Sequence, residues 1–150
     1  MNGTVLAVLA GACWGIGEVF TKSVLHTGRV GPLTAIAVRS TVAIPVLWIV
    51  YWIFVQQRRT EPTTWLADAG GGTLAKLILG SGLIAGAAGM VLFYSALKTG
   101  EISRVKPIAF TVAPMIGVLL GWLVLGEPMT AKKIVAIALV MSGVVLLTTG

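Results

Sequence analysis

Charge is scarce in this sequence: only 11% of its 150 residues are Asp, Glu, Lys or Arg, against roughly 25% in an ordinary soluble domain. Cysteine occurs once, as Cys13, and histidine once, as His26. One cysteine builds neither a disulfide framework nor a metal site. Cys13 sits in an apolar run and reads as a small hydrophobe; His26 reads as a loop residue with no second His or Cys to share a metal. There is no phosphate-cradling glycine loop followed by lysine, no Ser/His/Asp set and no paired histidine. The expectation is therefore a protein that is not an enzyme and that uses no cofactor and no metal.

Apolar residues fill the space that charge leaves. They make up 57% of the chain, and the mean hydropathy is +0.97. A soluble domain of this size buries only about two-thirds of its unfolded surface, so it would leave many of these side chains in water. Disorder needs low hydrophobicity and is excluded as well. The net charge is +6, but the basic residues lie one to three at a time between apolar stretches. That is how membrane loops look, and it argues against nucleic acid as a partner.

A bilayer core about 30 Å thick takes about 20 helical residues to cross. Five segments qualify, at about 4–25, 31–55, 73–97, 104–125 and 131–148. They are apolar all round, as helices in lipid are. The expected fold is an all-α membrane protein, one five-transmembrane-helix bundle over residues 1–150. The first segment has no Lys or Arg before its apolar run and carries Glu18, so it is not read as a signal peptide. The one long link, QQRRTEPTTWLADAGGG over 56–72, reads as surface loop or short interfacial helix, with Trp65 as a headgroup anchor. Gly11 and Gly15, Gly82 and Gly86, and Gly117 and Gly121 are each four apart, a spacing that lets helix backbones approach closely. Pro45 and Pro114 lie inside spans and tend to kink them.

Five spans place the termini on opposite sides. One face then receives Arg58, Arg59, Lys76, Lys132 and Lys133; the other receives Lys22, Arg29, Lys98, Arg104 and Lys106. Lys/Arg asymmetry between short loops normally sets orientation, and five against five gives almost none. Two readings stay open: insertion in both orientations with pairing as an antiparallel dimer, or a fixed orientation set by something the count misses.

Ionisable groups at membrane depth are expensive and mark candidate functional sites. Glu18 and Arg39 both lie roughly 10–12 Å in from the short link they share, at about 1.5 Å per residue. They could pair with each other, and Glu18 also stands at i, i+4 to Lys22. In one reading Glu18 is simply neutralised by Arg39 or Lys22. In the other it is a proton-coupling carboxylate, because an apolar setting and a nearby cation act on a carboxyl in opposite directions. Trp14 lies one turn from Glu18 on the same face and would favour a cationic, partly apolar group. Tyr94 needs a partner for its hydroxyl at depth. Trp14, Glu18, Arg39 and Tyr94 are thus the candidate substrate-binding residues. Arg39 suits an anionic group and Glu18 a cationic one; an amino acid-like zwitterion would satisfy both.

The order of these segments resembles a known family. WGIGEVFTK is similar to the opening signature of EamA-type proteins of the drug/metabolite transporter superfamily. Arg39 in AIAVRSTVAIP is similar to their single second-span arginine. FYSALKTG, with Tyr94 and Ala96 to Gly100, resembles the end of their third span. FTVAPMIGVLLGWLVLGEPMT, with Pro114, Gly126 and Glu127, and LVMSGVVLL with Gly143 resemble their closing half. Most members are ten-helix transporters with two inverted five-helix halves, and this chain resembles one half. The resemblance implies a secondary transporter, an exporter of a small metabolite or drug-like molecule. Its partners would be protons, membrane lipid and a second copy or a paralogue, and it would work by alternating access around a midplane site. It also implies a multi-pass protein of a prokaryotic cytoplasmic membrane. Glu18 departs from the EamA pattern and is similar instead to the first-helix carboxylate of small multidrug resistance proteins. A non-transporting interaction subunit and a carrier of lipid-linked sugars are the alternatives.

Overall fold

The computed structural model describes residues 2–149. Its elements are α1 (Gly3–His26), α2 (Pro32–Tyr51), α3 (Trp65–Asp68), α4 (Gly70–Ala75), α5 (Gly89–Thr99), α6 (Ile102–Leu125) and α7 (Ala131–Thr148). Two π-helical segments extend these helices: Trp52–Gln57 continues α2, and Lys76–Ala88 joins α4 to α5. No strand occurs among the described residues. Five of the resulting helices are long and apolar enough to cross a membrane: Gly3–His26, Pro32–Gln57, Gly70–Thr99, Ile102–Leu125 and Ala131–Thr148. The protein is therefore an all-α, multi-pass integral membrane protein. Its apolar side chains point outward, as lipid as solvent requires. Leu92, Val124, Leu125 and Leu146 are each more than 70% exposed.

Local chemistry sets the helix ends. Asn2 caps α1, its Oδ1 accepting from the Thr4 amide at 3.2 Å, as side-chain oxygens do at helix starts. Pro32 opens α2 at a position where its missing N–H costs nothing. His26 proves to be the last residue of α1 rather than a loop residue. The third span begins at Gly70, three residues before the expected start, so the long link contracts. Trp65–Asp68 forms its short helix.

The chain divides into two compact units, the first ending at Lys98 and the second beginning at Thr99. The first holds three spans. Its sealed residues are Glu18, Leu25, Val55, Tyr94 and Leu97. Lys22 Nζ on α1 donates to the Leu97 carbonyl on α5 at 2.7 Å. A cation there meets the carbonyl-rich end of the third span, where the helix dipole is negative.

The second unit packs α6 against α7. α6 ends at Gly126, whose φ of +68° is a left-handed stop that glycine tolerates. The chain turns back there, and the Glu127 amide donates to the Gly121 carbonyl at 3.0 Å. The Glu127 carboxylate lies over Gly121, where an added Cβ would sit 3.1 Å from Oε2. Lys133 Nζ stands 3.8 Å from the same oxygen and donates to the Pro128 carbonyl at 3.0 Å. Pro107 and Pro114 both lie inside α6. Pro114 lines an apolar cavity of about 140 Å³ with Met115, Val118, Ile137 and Val140.

The glycines of the expected pairs differ in their surroundings. A Cβ added at Gly11 or Gly117 would meet nothing within 4 Å. At Gly82 and Gly86 it would meet the segment's own carbonyls, Leu77 O at 3.6 Å and Ser81 O at 3.2 Å.

Candidate functional site

The first unit contains a cavity of about 220 Å³ lined by Cys13, Trp14, Gly17, Glu18, Thr21, Arg39 and Tyr94. Helical geometry explains the α1 contribution. Residues 14, 17, 18 and 21 recur at three- and four-residue intervals and so share one face. α2 adds Arg39 and α5 adds Tyr94. The cavity brings together all four residues expected from the sequence: Trp14, Glu18, Arg39 and Tyr94.

Burial grades the four. Tyr94 is 1% exposed, Glu18 is 4% exposed and Trp14 is 51% exposed. A carboxyl group so enclosed is costly unless its surroundings hold it. Arg39 is exposed. Its Nη1 donates to the Tyr94 hydroxyl at 2.7 Å, and its Cζ lies 5.8 Å from the centre of the same ring. The buried phenol thus finds the partner that its depth demands. Among the described residues the guanidinium makes no ion pair with a carboxylate. The Glu18–Arg39 pair considered from the sequence gives way to an Arg39–Tyr94 bond.

An arginine has five N–H donors in a fixed fork, and Tyr94 accepts from one of them. The fork therefore retains donors for an anionic group. Glu18 places a carboxyl group in the wall of the same cavity, and Trp14 an aromatic ring. The arrangement suits binding and passage of a small charged molecule. Thr21 adds a hydroxyl to the wall while donating to the Gly17 carbonyl at 3.1 Å. Sequence reasoning missed Thr21 and Gly17, although their helical spacing from Trp14 and Glu18 was signal enough. It considered Lys22 only as a neighbour of Glu18. The Lys22 bond to the Leu97 carbonyl, across 75 positions of chain, leaves no local signature.

Among the described residues no three His, Cys, Asp or Glu side chains gather in a way that would hold a metal ion. Outward-facing apolar spans define a polytopic membrane protein. The chain belongs to the EamA-like transporter family, whose model matches residues 1–149. No curated protein and no solved structure matches it.

Proposed function

We propose that the protein is a secondary active transporter that exports a small metabolite or drug-like molecule in exchange for protons. Trp14, Glu18, Arg39 and Tyr94 bind the substrate, and Glu18 carries the proton. The observation that carries this reading is the enclosure of Glu18, 4% exposed, in the wall of a cavity that also holds Arg39. A carboxylate and a guanidinium in one small cavity fit an amino acid-like zwitterion. Substrate and proton then compete for Glu18, which couples their movements.

The working unit is a dimer in which each chain, residues 1–150, acts as one repeat. The cavity of one chain, about 220 Å³, is smaller than the roughly 300–1,000 Å³ of ordinary ligand pockets. A second copy supplies the remaining wall. The balance of five cations on each face supports oppositely inserted copies, and such a pair permits alternating access. The near-absence of charge bias fits a multi-pass protein of a prokaryotic cytoplasmic membrane that inserts either way.

Purified protein in liposomes with an imposed pH gradient tests the reading across a panel of amines, carboxylates and zwitterions. Uptake of a zwitterion driven by the gradient, and abolished in Glu18→Gln with dimers intact, is the expected result. Undiminished transport by Glu18→Gln removes the coupling role. Absence of flux for the whole panel favours an interaction subunit.

A further inference from the structure

The far end of the second span carries an arrangement that transport of a solute does not require. The π-helical turn Trp52–Gln57 stops in a tight cap: the Arg58 amide donates to the Ile53 carbonyl at 3.0 Å. Thr60 then folds back twice on the Phe54 carbonyl, through its amide at 3.1 Å and its hydroxyl at 2.9 Å. Between them Arg59 adopts φ +49°, the one positive φ outside glycine among the described residues. A helix stop of this kind ordinarily takes glycine, which has no Cβ to strain. Here the chain sets an arginine in it, directly after another arginine.

Both guanidinium groups are exposed. Arg58 stands over the Phe54 ring at 5.0 Å. Glu61 and Asp68 share the following loop, yet among the described residues neither forms an ion pair with Arg58 or Arg59. Asp68 instead accepts from the Thr64 hydroxyl at 2.6 Å. An aromatic cluster lies about two helical turns before this cap. Trp65 Nε1 donates to the Tyr51 hydroxyl at 3.0 Å, Gln56 Nε2 donates to it at 3.1 Å, and the Tyr51 ring meets Trp48 edge to face at 5.3 Å. Tyr and Trp with one polar end take up the headgroup level of a bilayer. With that cluster at the headgroup level, Arg58 and Arg59, about two turns further along, would lie toward the lipid phosphates, where each basic side chain is attracted to anionic lipid.

We infer that Arg58 and Arg59, capped onto the end of the second span beyond Tyr51, form a binding site for the phosphate of an anionic membrane lipid. The strained arginine is the strongest sign. A purely structural stop would be better served by glycine, so the arginine puts a cation there at a cost in backbone strain.

The test uses the full chain in phosphatidylcholine vesicles containing a trace of spin-labelled phosphatidylglycerol or spin-labelled phosphatidylcholine. The motionally restricted fraction of each label reports which lipid sits against the protein. Wild type should prefer phosphatidylglycerol several-fold, and the preference should shrink as salt rises, since exposed charges are screened within about 10 Å at 0.1 M. The double variant Arg58→Gln/Arg59→Gln should bring the ratio to one. Arg59→Gly keeps the cap and relaxes its backbone. It should lower the preference without reducing the helical circular dichroism, which separates lost charge from lost folding. Arg59→Lys should retain most of the preference. A full preference in the double variant overturns the proposal. So does displacement of phosphatidylglycerol by millimolar inorganic phosphate, which would mark a site for free anions.

Discussion

Tyr94 and Leu97 are the largest fully sealed side chains among the described residues, and a cation reaches the position of each. Arg39 takes the Tyr94 hydroxyl, and Lys22 takes the Leu97 backbone carbonyl. The two bonds differ in what their loss would do. Arg39 is exposed and can turn to solvent or substrate when its partner goes. Tyr94→Phe should therefore cost only about 0.5–1.5 kcal/mol, the worth of one ordinary hydrogen bond. It should raise the apparent KM for transport, because the guanidinium loses its fixed aim. An unaltered KM alongside an unaltered maximal rate would take Tyr94 out of the site. Lys22 acts between two helices and ends on a sealed residue. Lys22→Met keeps the stem and removes the charge. It should cost about 1.5–3 kcal/mol, the range for a charge-assisted bond, in reversible unfolding from mixed micelles. Lys22→Arg should recover part of that loss.

The π-helical segments have a cause in span length. The five spans contain 24, 26, 30, 24 and 18 residues, and the two longest are the two that include π winding. An α-helix of 30 residues runs about 45 Å, against a hydrocarbon core of about 30 Å. Surplus length is normally absorbed by tilt or kinking. A wider winding with more residues per turn absorbs it as well. In Lys76–Ala88 one glycine, Gly86, sits where that winding leaves little room for a Cβ. A Cβ at Gly86 would sit 3.2 Å from the carbonyl five residues earlier, a tight contact, whereas at Gly82 the same contact, at 3.6 Å, is ordinary. At Gly86 the obstacle is the Ser81 backbone, which cannot swing aside. Alanine also favours the α-helix over glycine by about 1 kcal/mol. Gly86→Ala should therefore convert this stretch toward α winding and lengthen the third span. Spin labels at Leu74→Cys and Leu92→Cys in a Cys13→Ser background would read a longer separation in the Gly86→Ala variant. An unchanged separation would show that glycine is not what holds the π form.

At the scale of the whole molecule, the sequence shows clearly what lipid makes expensive. Glu18 and Arg39 stand out because charge at depth is rare, and the five spans stand out because few other sequences stay apolar for so long. Rotation and winding are much less visible. Spans that are apolar all round do not encode which face turns inward, so the bond between Arg39 and Tyr94 has no signature in the sequence. That a Cβ at Gly82 or Gly86 would meet the segment's own carbonyls is not visible in their spacing either. Orientation in the bilayer is a further property of the whole chain. If the oppositely inserted pair proposed above is right, the count of five cations on each face leaves the two orientations balanced, and small changes in loop charge should decide between them. A reporter fused to the C-terminus should give signal from both sides of the membrane. Adding two lysines to the 99–103 link should draw that link to the cytoplasm and confine the C-terminal signal to the cytoplasmic side; Lys98→Gln with Arg29→Gln should confine it to the opposite side. Neither charge variant should transport alone, because all its copies point the same way, whereas co-expression of the two should restore transport. A wild-type reporter found on one side only would remove the oppositely inserted pair, and the cavity of Glu18 and Arg39 would then need a paralogue for its missing wall.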